Sequence, residues 1–117
     1  IVRRDNGEKK EINLDHLETE IATLLDTIQV EMLERARAHR EEHTYTATDY
    51  ANFLDILDNK PGFVKAMWCG ERACEDKIKE DAQATSRCMP FEQEKIANTC
   101  ICCGKPAEKM VYWGKAY

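Results

Sequence analysis

The sequence predicts an α+β domain: a long helical hairpin, then a small antiparallel sheet with one helix and a four-cysteine metal site. Three observations predict it. An uninterrupted run of apolar residues at helical spacing begins near Asp15, and after Pro61 the pattern breaks into short alternating segments. All 6 cysteines lie between Cys69 and Cys103, with none in the first 68 residues. A chain of 117 residues with 43% apolar and 33% charged residues is one domain rather than a disordered segment. At this length folding buries roughly two thirds of the surface the unfolded chain exposes, so the core has little margin.

Residues 1–11 read as a strand end running into a turn at Asn6-Gly7, without the material for a core of their own. Asp15 with Glu18 three residues on has the form of a capping box. Leu17, Ile21, Leu24, Leu25, Ile28 and Met32 then define one face of a helix expected to run to about Glu42, with neither Pro nor Gly to interrupt it. Glu18, Glu20, Asp26, Glu31, Glu34 and Arg37 form its solvated face. Thr46 and Asp49 open a second helix whose Tyr50, Phe53, Leu54 and Leu57 share a face, ended by Asn59-Lys60-Pro61-Gly62. Two facing stripes joined by a short polar connection predict an antiparallel hairpin with both stripes in the core. Beyond Pro61 the expectations are a strand from Phe63 to Trp68, a helix from Glu71 to Asp81, a strand from Thr85 to Met89 closed by Pro90, an irregular stretch from Glu92 to Thr99, and a last strand from Met110 to Trp113.

The cysteines carry the chemistry. Cys69-Gly-Glu-Arg-Ala-Cys74 is C-x4-C and Cys100-Ile-Cys-Cys103 is C-x2-C, with 25 residues between them. Two such thiolate pairs suit a tetrahedral zinc, and a glycine directly after Cys69 and after Cys103 supplies the positive φ that such turns use. Four thiolates around Zn²⁺ take the formal charge from −5 to −7. Arg72 and Lys105 stand in or beside the two loops to offset it. A catalytic zinc would keep an open position, which four cysteines do not, so the expected zinc is structural. Cys102 leaves a C-x-C pairing with Cys100 open, and Cys88 reads as a small buried apolar residue. A thioredoxin-like reading of Cys100 and Cys103 meets a loop, Gly104-Lys105-Pro106, where that chemistry normally has a helix. His39 and His43, four apart among charged residues, read as a solvent-facing pair. No Ser-His-Asp set, phosphate-binding glycine loop or inward carboxylate pair occurs.

Charge divides the chain, with 7 basic and 14 acidic residues in 1–59 against 10 and 8 in 60–117. Overall acidity argues against gripping nucleic acid by bulk electrostatics. There is neither an apolar run of membrane-spanning length nor a secretory leader, so no membrane partner is expected and the expected location is cytoplasmic. A first residue of Ile1 rather than Met marks the chain as a piece of a longer one.

Several motifs in order carry a resemblance: Gly62-Phe-Val-Lys-Ala-Met-Trp-Cys-Gly70, Ala73-Cys-Glu-Asp-Lys-Ile-Lys-Glu80, Ser86-Arg-Cys-Met-Pro90, Cys100-Ile-Cys-Cys-Gly-Lys-Pro-Ala107 and the ending Tyr112-Trp-Gly-Lys-Ala-Tyr117. Together they resemble the C-terminal domain of prolyl-tRNA synthetase of the archaeal and eukaryote-like type, over nearly the whole chain. Arg3-Arg-Asp-Asn-Gly-Glu8 is similar to the last strand and turn of that family's anticodon-binding domain. The resemblance implies residues 1–11 as the end of that domain and its linker, and 12–117 as the zinc-binding domain. It implies Cys69, Cys74, Cys100 and Cys103 as ligands, and Tyr117 as the terminal residue whose carboxylate faces the parent's catalytic domain. It further implies a homodimeric parent that activates proline with ATP and Mg²⁺ and attaches it to tRNA, through residues upstream of this chain. An independent zinc-ribbon module is the alternative. It is marked by Lys65, Arg72, Lys77, Lys79, Lys105 and Lys109 gathering on one face.

Overall fold

A computed structural model describes residues 1–116, so the expectation placed on Tyr117 lies outside the described residues. The chain forms two compact units, Ile1–His39 and Arg40–Tyr117.

In the first unit Val2 bridges Lys9 around a tight turn at Asn6-Gly7, and Arg3 N–H donates to Glu8 O at 2.8 Å. Arg3 is buried and its guanidinium forks onto Asp5 at 2.9 and 3.1 Å while also meeting Glu31. Arg3 first, with Arg35 at 3.2 Å adding to it, holds the Asp5 carboxyl down to about 2, burial opposing them. A short 3₁₀ turn, Leu14–His16, precedes the long helix α1, Leu17–Glu42. The cap is Asn13, whose side chain accepts from Asp15 N–H at 3.0 Å, and not the expected Asp15. No residue of α1 is fully buried, and Leu25, Val30, Met32 and Leu33 are at least half exposed.

The second unit is a four-stranded sheet in the order β1-β2-β4-β3. Its strands are β1 (Thr44–Thr46), β2 (Phe63–Trp68), β3 (Ala84–Cys88) and β4 (Lys109–Lys115), with helices α2 (Tyr50–Asn59) and α3 (Arg72–Ala82). The sheet is mixed rather than antiparallel, because β1 pairs parallel to β2, Thr44 opposite Phe63. The other two pairings are antiparallel. Parallel neighbours need a crossover of a dozen or so residues, usually a helix, and α2 is that crossover. The sequence predicts α2 as one arm of a helical hairpin, and within the second unit its role is that of a crossover. Phe53, Ile56 and Leu57 of α2 pack instead with Val64, Ile78 and Trp113 of the sheet and α3.

Alternation along β2 and β4 sends Val64, Ala66, Val111 and Trp113 to the helix-covered face. Trp113 is wholly buried, with Phe53 and Trp68 edge-on at 6.1 and 6.4 Å. Gly62 turns the chain into β2 with φ +124°, and a Cβ there would lie 2.0 Å from the His43 carbonyl that pairs with Phe63 N–H. Only glycine lets those backbones meet. Asp49 caps α2 as expected, accepting from Asn52 N–H at 2.9 Å. Asp49→Ala is therefore expected to cost about 0.5–2 kcal/mol, read as a lower urea midpoint at unchanged slope.

Candidate metal centre

Each cysteine pair is set by a turn off the sheet. Cys69 follows the last residue of β2, and Gly70 at φ +92° swings the chain into α3, whose first turn carries the buried Cys74. Trp68 Nε1 donates to Glu71 O at 3.1 Å and Cys74 N–H to the same carbonyl at 3.1 Å, which fixes the C-x4-C loop. The second pair sits on a tight loop closed by the Thr99–Pro106 bridge. There Cys100 N–H donates to Lys105 O at 2.8 Å and Gly104 N–H to Cys100 O at 3.0 Å, with Gly104 at φ +72° as the turn requires. Ile101 N–H donates to Met67 O at 2.9 Å, so this loop is stitched to β2, the strand that delivers Cys69.

The result is a convergence of four sulfurs. The Sγ atoms of Cys69, Cys74, Cys100 and Cys103 all lie within 4.8 Å of one another, the only such group of three or more potential ligands among the described residues. Cys69 Sγ is 3.7 Å from Cys74 Sγ and 3.8 Å from Cys103 Sγ. A tetrahedron with metal–sulfur bonds of about 2.3 Å has edges of about 3.8 Å, so the donor set fits one zinc. The same separations are far from the roughly 2.0 Å of a disulfide bond.

The thiols are unequal. Burial pushes the Cys69 and Cys74 thiols up, and neighbouring sulfurs push Cys74 further. At Cys100 burial acts in the same direction, but hydrogen bonds from the Cys103, Cys102 and Cys69 backbones outweigh it and bring the thiol down to about 7. Cys100 thus takes negative charge readily. Four adjacent thiolates need a cation, which a dication supplies.

The surroundings differ partly from expectation. Lys105 lies beside Glu71 at 2.7 Å, and Glu71 first, then Cys103 and Cys69, hold its ammonium charged. Arg72 is 89% exposed and paired with Asp76 at 3.7 Å. Lys109, which sequence reasoning did not connect with the site, lies over the Trp68 ring at 5.6 Å, its ammonium 3.0 Å from where a Gly70 Cβ would be. Trp68 ends β2 and Lys109 opens β4 directly opposite it, a pairing that only the strand register supplies. Cys102 falls outside the group of four. It is half-buried between the two core clusters, and burial pushes its thiol up. Cys88 is exposed rather than buried, because it closes β3 at a register shift near the sheet edge. His39 and His43 do not join the cysteine group. Of the basic residues named for the zinc-ribbon alternative, three are answered by carboxylates: Lys65 by Glu94, Lys77 by Asp81 and Lys105 by Glu71.

Comparison with known proteins identifies the family that shares this fold. A family model for the C-terminal region of prolyl-tRNA synthetase matches residues 50–117. The proline–tRNA ligase of Lachnospira eligens is 66% identical over all of this chain and 24% of its own length, and that of Clostridium botulinum strain Loch Maree is 60% identical over the same shares. The crystal structure of prolyl-tRNA synthetase from Cryptosporidium parvum complexed with L-proline and AMP superposes with a TM-score of 0.90 at 32% identity, over 99% of this chain and 25% of that one. The chain therefore spans about a quarter of the length of the relatives it matches. A family match over more than half of the residues, on a fold that presents the four sulfurs together, means that the chain belongs to the prolyl-tRNA synthetase C-terminal domain family.

Proposed function

We propose that this chain is the non-catalytic C-terminal domain of a proline–tRNA ligase, held in shape by one structural zinc on Cys69, Cys74, Cys100 and Cys103. The observation that carries the reading is the set of four sulfurs within 4.8 Å, in a chain similar to proline–tRNA ligases from end to end. The parent activates proline with ATP and Mg²⁺ and joins it to its tRNA in the cytoplasm, as a homodimer, using parts outside this chain. Residues 1–11 close the anticodon-binding domain and its linker, and 12–117 form the zinc-binding domain. The exposed apolar residues of α1 support a surface that packs on the parent. No helix among the described residues is long and apolar enough to cross a membrane.

Zinc does here what apolar burial does in larger domains. It ties the C-x4-C loop to the C-x2-C loop and so fixes the order of β2, α3 and β4, contributing on the order of 10 kcal/mol to folding. Elemental analysis of the purified chain is expected to give one zinc per molecule, with the circular dichroism of the fold lost on chelation. A metal-free chain with the same spectrum would refute the structural role. The lowered Cys100 thiol is the observation in favour of a redox reading. Bound zinc whose removal unfolds the chain excludes that reading.

A further inference from the structure

The face of the sheet opposite α2 and α3 carries an open groove of about 780 Å³, lined by Arg40, Phe63, Lys65, Arg87, Cys88 and Tyr112 among others. The register shift in β3 leaves Arg87 as the extra residue between Ser86, opposite Trp113, and Cys88, opposite Tyr112. Such a bulge re-aims side chains, here into the groove. Arg87 Nε donates to Gly114 O at 3.3 Å, which fixes the guanidinium at its base. Its two terminal nitrogens have no partner among the described residues, and neither does the Tyr112 hydroxyl.

The other cations of the groove are answered locally, Lys65 by Glu94 at 2.7 Å and Arg40 by Glu41 at 3.8 Å. Among the described residues Arg87 meets no carboxylate, and it offers a planar fork beside Phe63, which is 41% exposed. A carboxylate matches that fork in a bidentate pair. A polyanion would bring a run of phosphates against a chain of net charge −5, whereas a single carboxylate does not. About three quarters of the length of the related ligases lies outside this chain and could supply such a group in cis.

We propose that this groove docks a segment of the remainder of the parent synthetase that carries one carboxylate, held by the Arg87 fork and the Tyr112 hydroxyl, with the segment's apolar flank lying on Phe63. The inference rests on the reading of the chain as a domain of that synthetase. Cys88, exposed in the groove, reports occupancy. In the full-length synthetase, the rate of Cys88 alkylation by N-ethylmaleimide, followed by mass spectrometry, is expected to be about tenfold slower in the wild type than in Arg87→Glu, with Arg87→Lys in between. Arg87→Gln, which removes the charge alone, gives the same reading if Arg87→Glu is poorly folded. Zinc content and melting temperature are measured on the same samples. Equal rates in wild type and variants that all hold one zinc would overturn the docking, as would protection that appears only on adding tRNA. A wild-type synthetase without zinc would instead count against the proposed structural centre.

Discussion

Cys100→Ser will release the metal and unfold the second unit. Cys100 is 3% exposed, its sulfur receives the backbone hydrogen bonds of the C-x2-C turn, and its carbonyl accepts from Gly104, so metal and loop geometry fail together. The loss is a large part of the roughly 10 kcal/mol that a structural zinc contributes, comparable with the whole 5–15 kcal/mol stability of a small domain. Cys69→Ser, Cys74→Ser and Cys103→Ser are expected to follow it. Cys88→Ser should leave zinc and fold intact, and Cys102→Ser should keep the metal with a modest packing cost. Zinc per chain and far-ultraviolet circular dichroism check all six. A zinc-free Cys102→Ser beside a zinc-loaded Cys103→Ser would move the fourth ligand to Cys102. Metal-derived stability also depends on pH with a definite sign. The ligands must be thiolates and burial disfavours ionising Cys69 and Cys74, so that stability is present at high pH and fades as protons compete on acidification.

Trp113→Ala is expected to cost about 3–5 kcal/mol, the range for deleting a large buried aromatic. Trp113 is fully buried where α2, β2 and β4 meet, and its removal leaves Phe53 and Trp68 facing a void. Trp113→Phe separates volume from polarity. The buried indole Nε1 has no hydrogen-bond partner among the described residues, so the phenyl ring discards an unsatisfied donor worth about 1–3 kcal/mol while giving up part of the packing. Urea denaturation should therefore place Trp113→Phe much closer to the wild type than Trp113→Ala. Equal losses would mean that the Nε1 donor is satisfied in solution.

Local signals in the sequence located most of the elements. The alternation from Phe63 to Trp68 is β2 residue for residue, and Asp49 announced its helix. The cysteine spacing brought together the four residues whose sulfurs converge. What the sequence hid is non-local. Thr44–Thr46 is three residues long, too short to signal a strand, and it gains its identity from the parallel partner Phe63–Lys65. With β1 unseen, α2 read as half of a hairpin instead of a crossover, since an apolar face does not say what it will meet. The α1 stripe misled for the complementary reason, because its periodicity is genuine while no residue along it is fully buried. At the site, Lys109 and Trp68 are distant in sequence and become neighbours only through the β2–β4 register.

The strand order also fixes a sequence in time. β2 and β3 do not touch each other as strands, and the segment that lies between them is β4, the last to be made. While the chain leaves the ribosome, both wait with an unpaired edge. During that interval the two thiols of the first loop have no second loop to meet until residues 100–103 appear. Completion of the sheet therefore waits for residues 109–115: the four sulfurs can converge only a few residues earlier, once the second loop is made, and the second unit forms in one late step rather than by accretion.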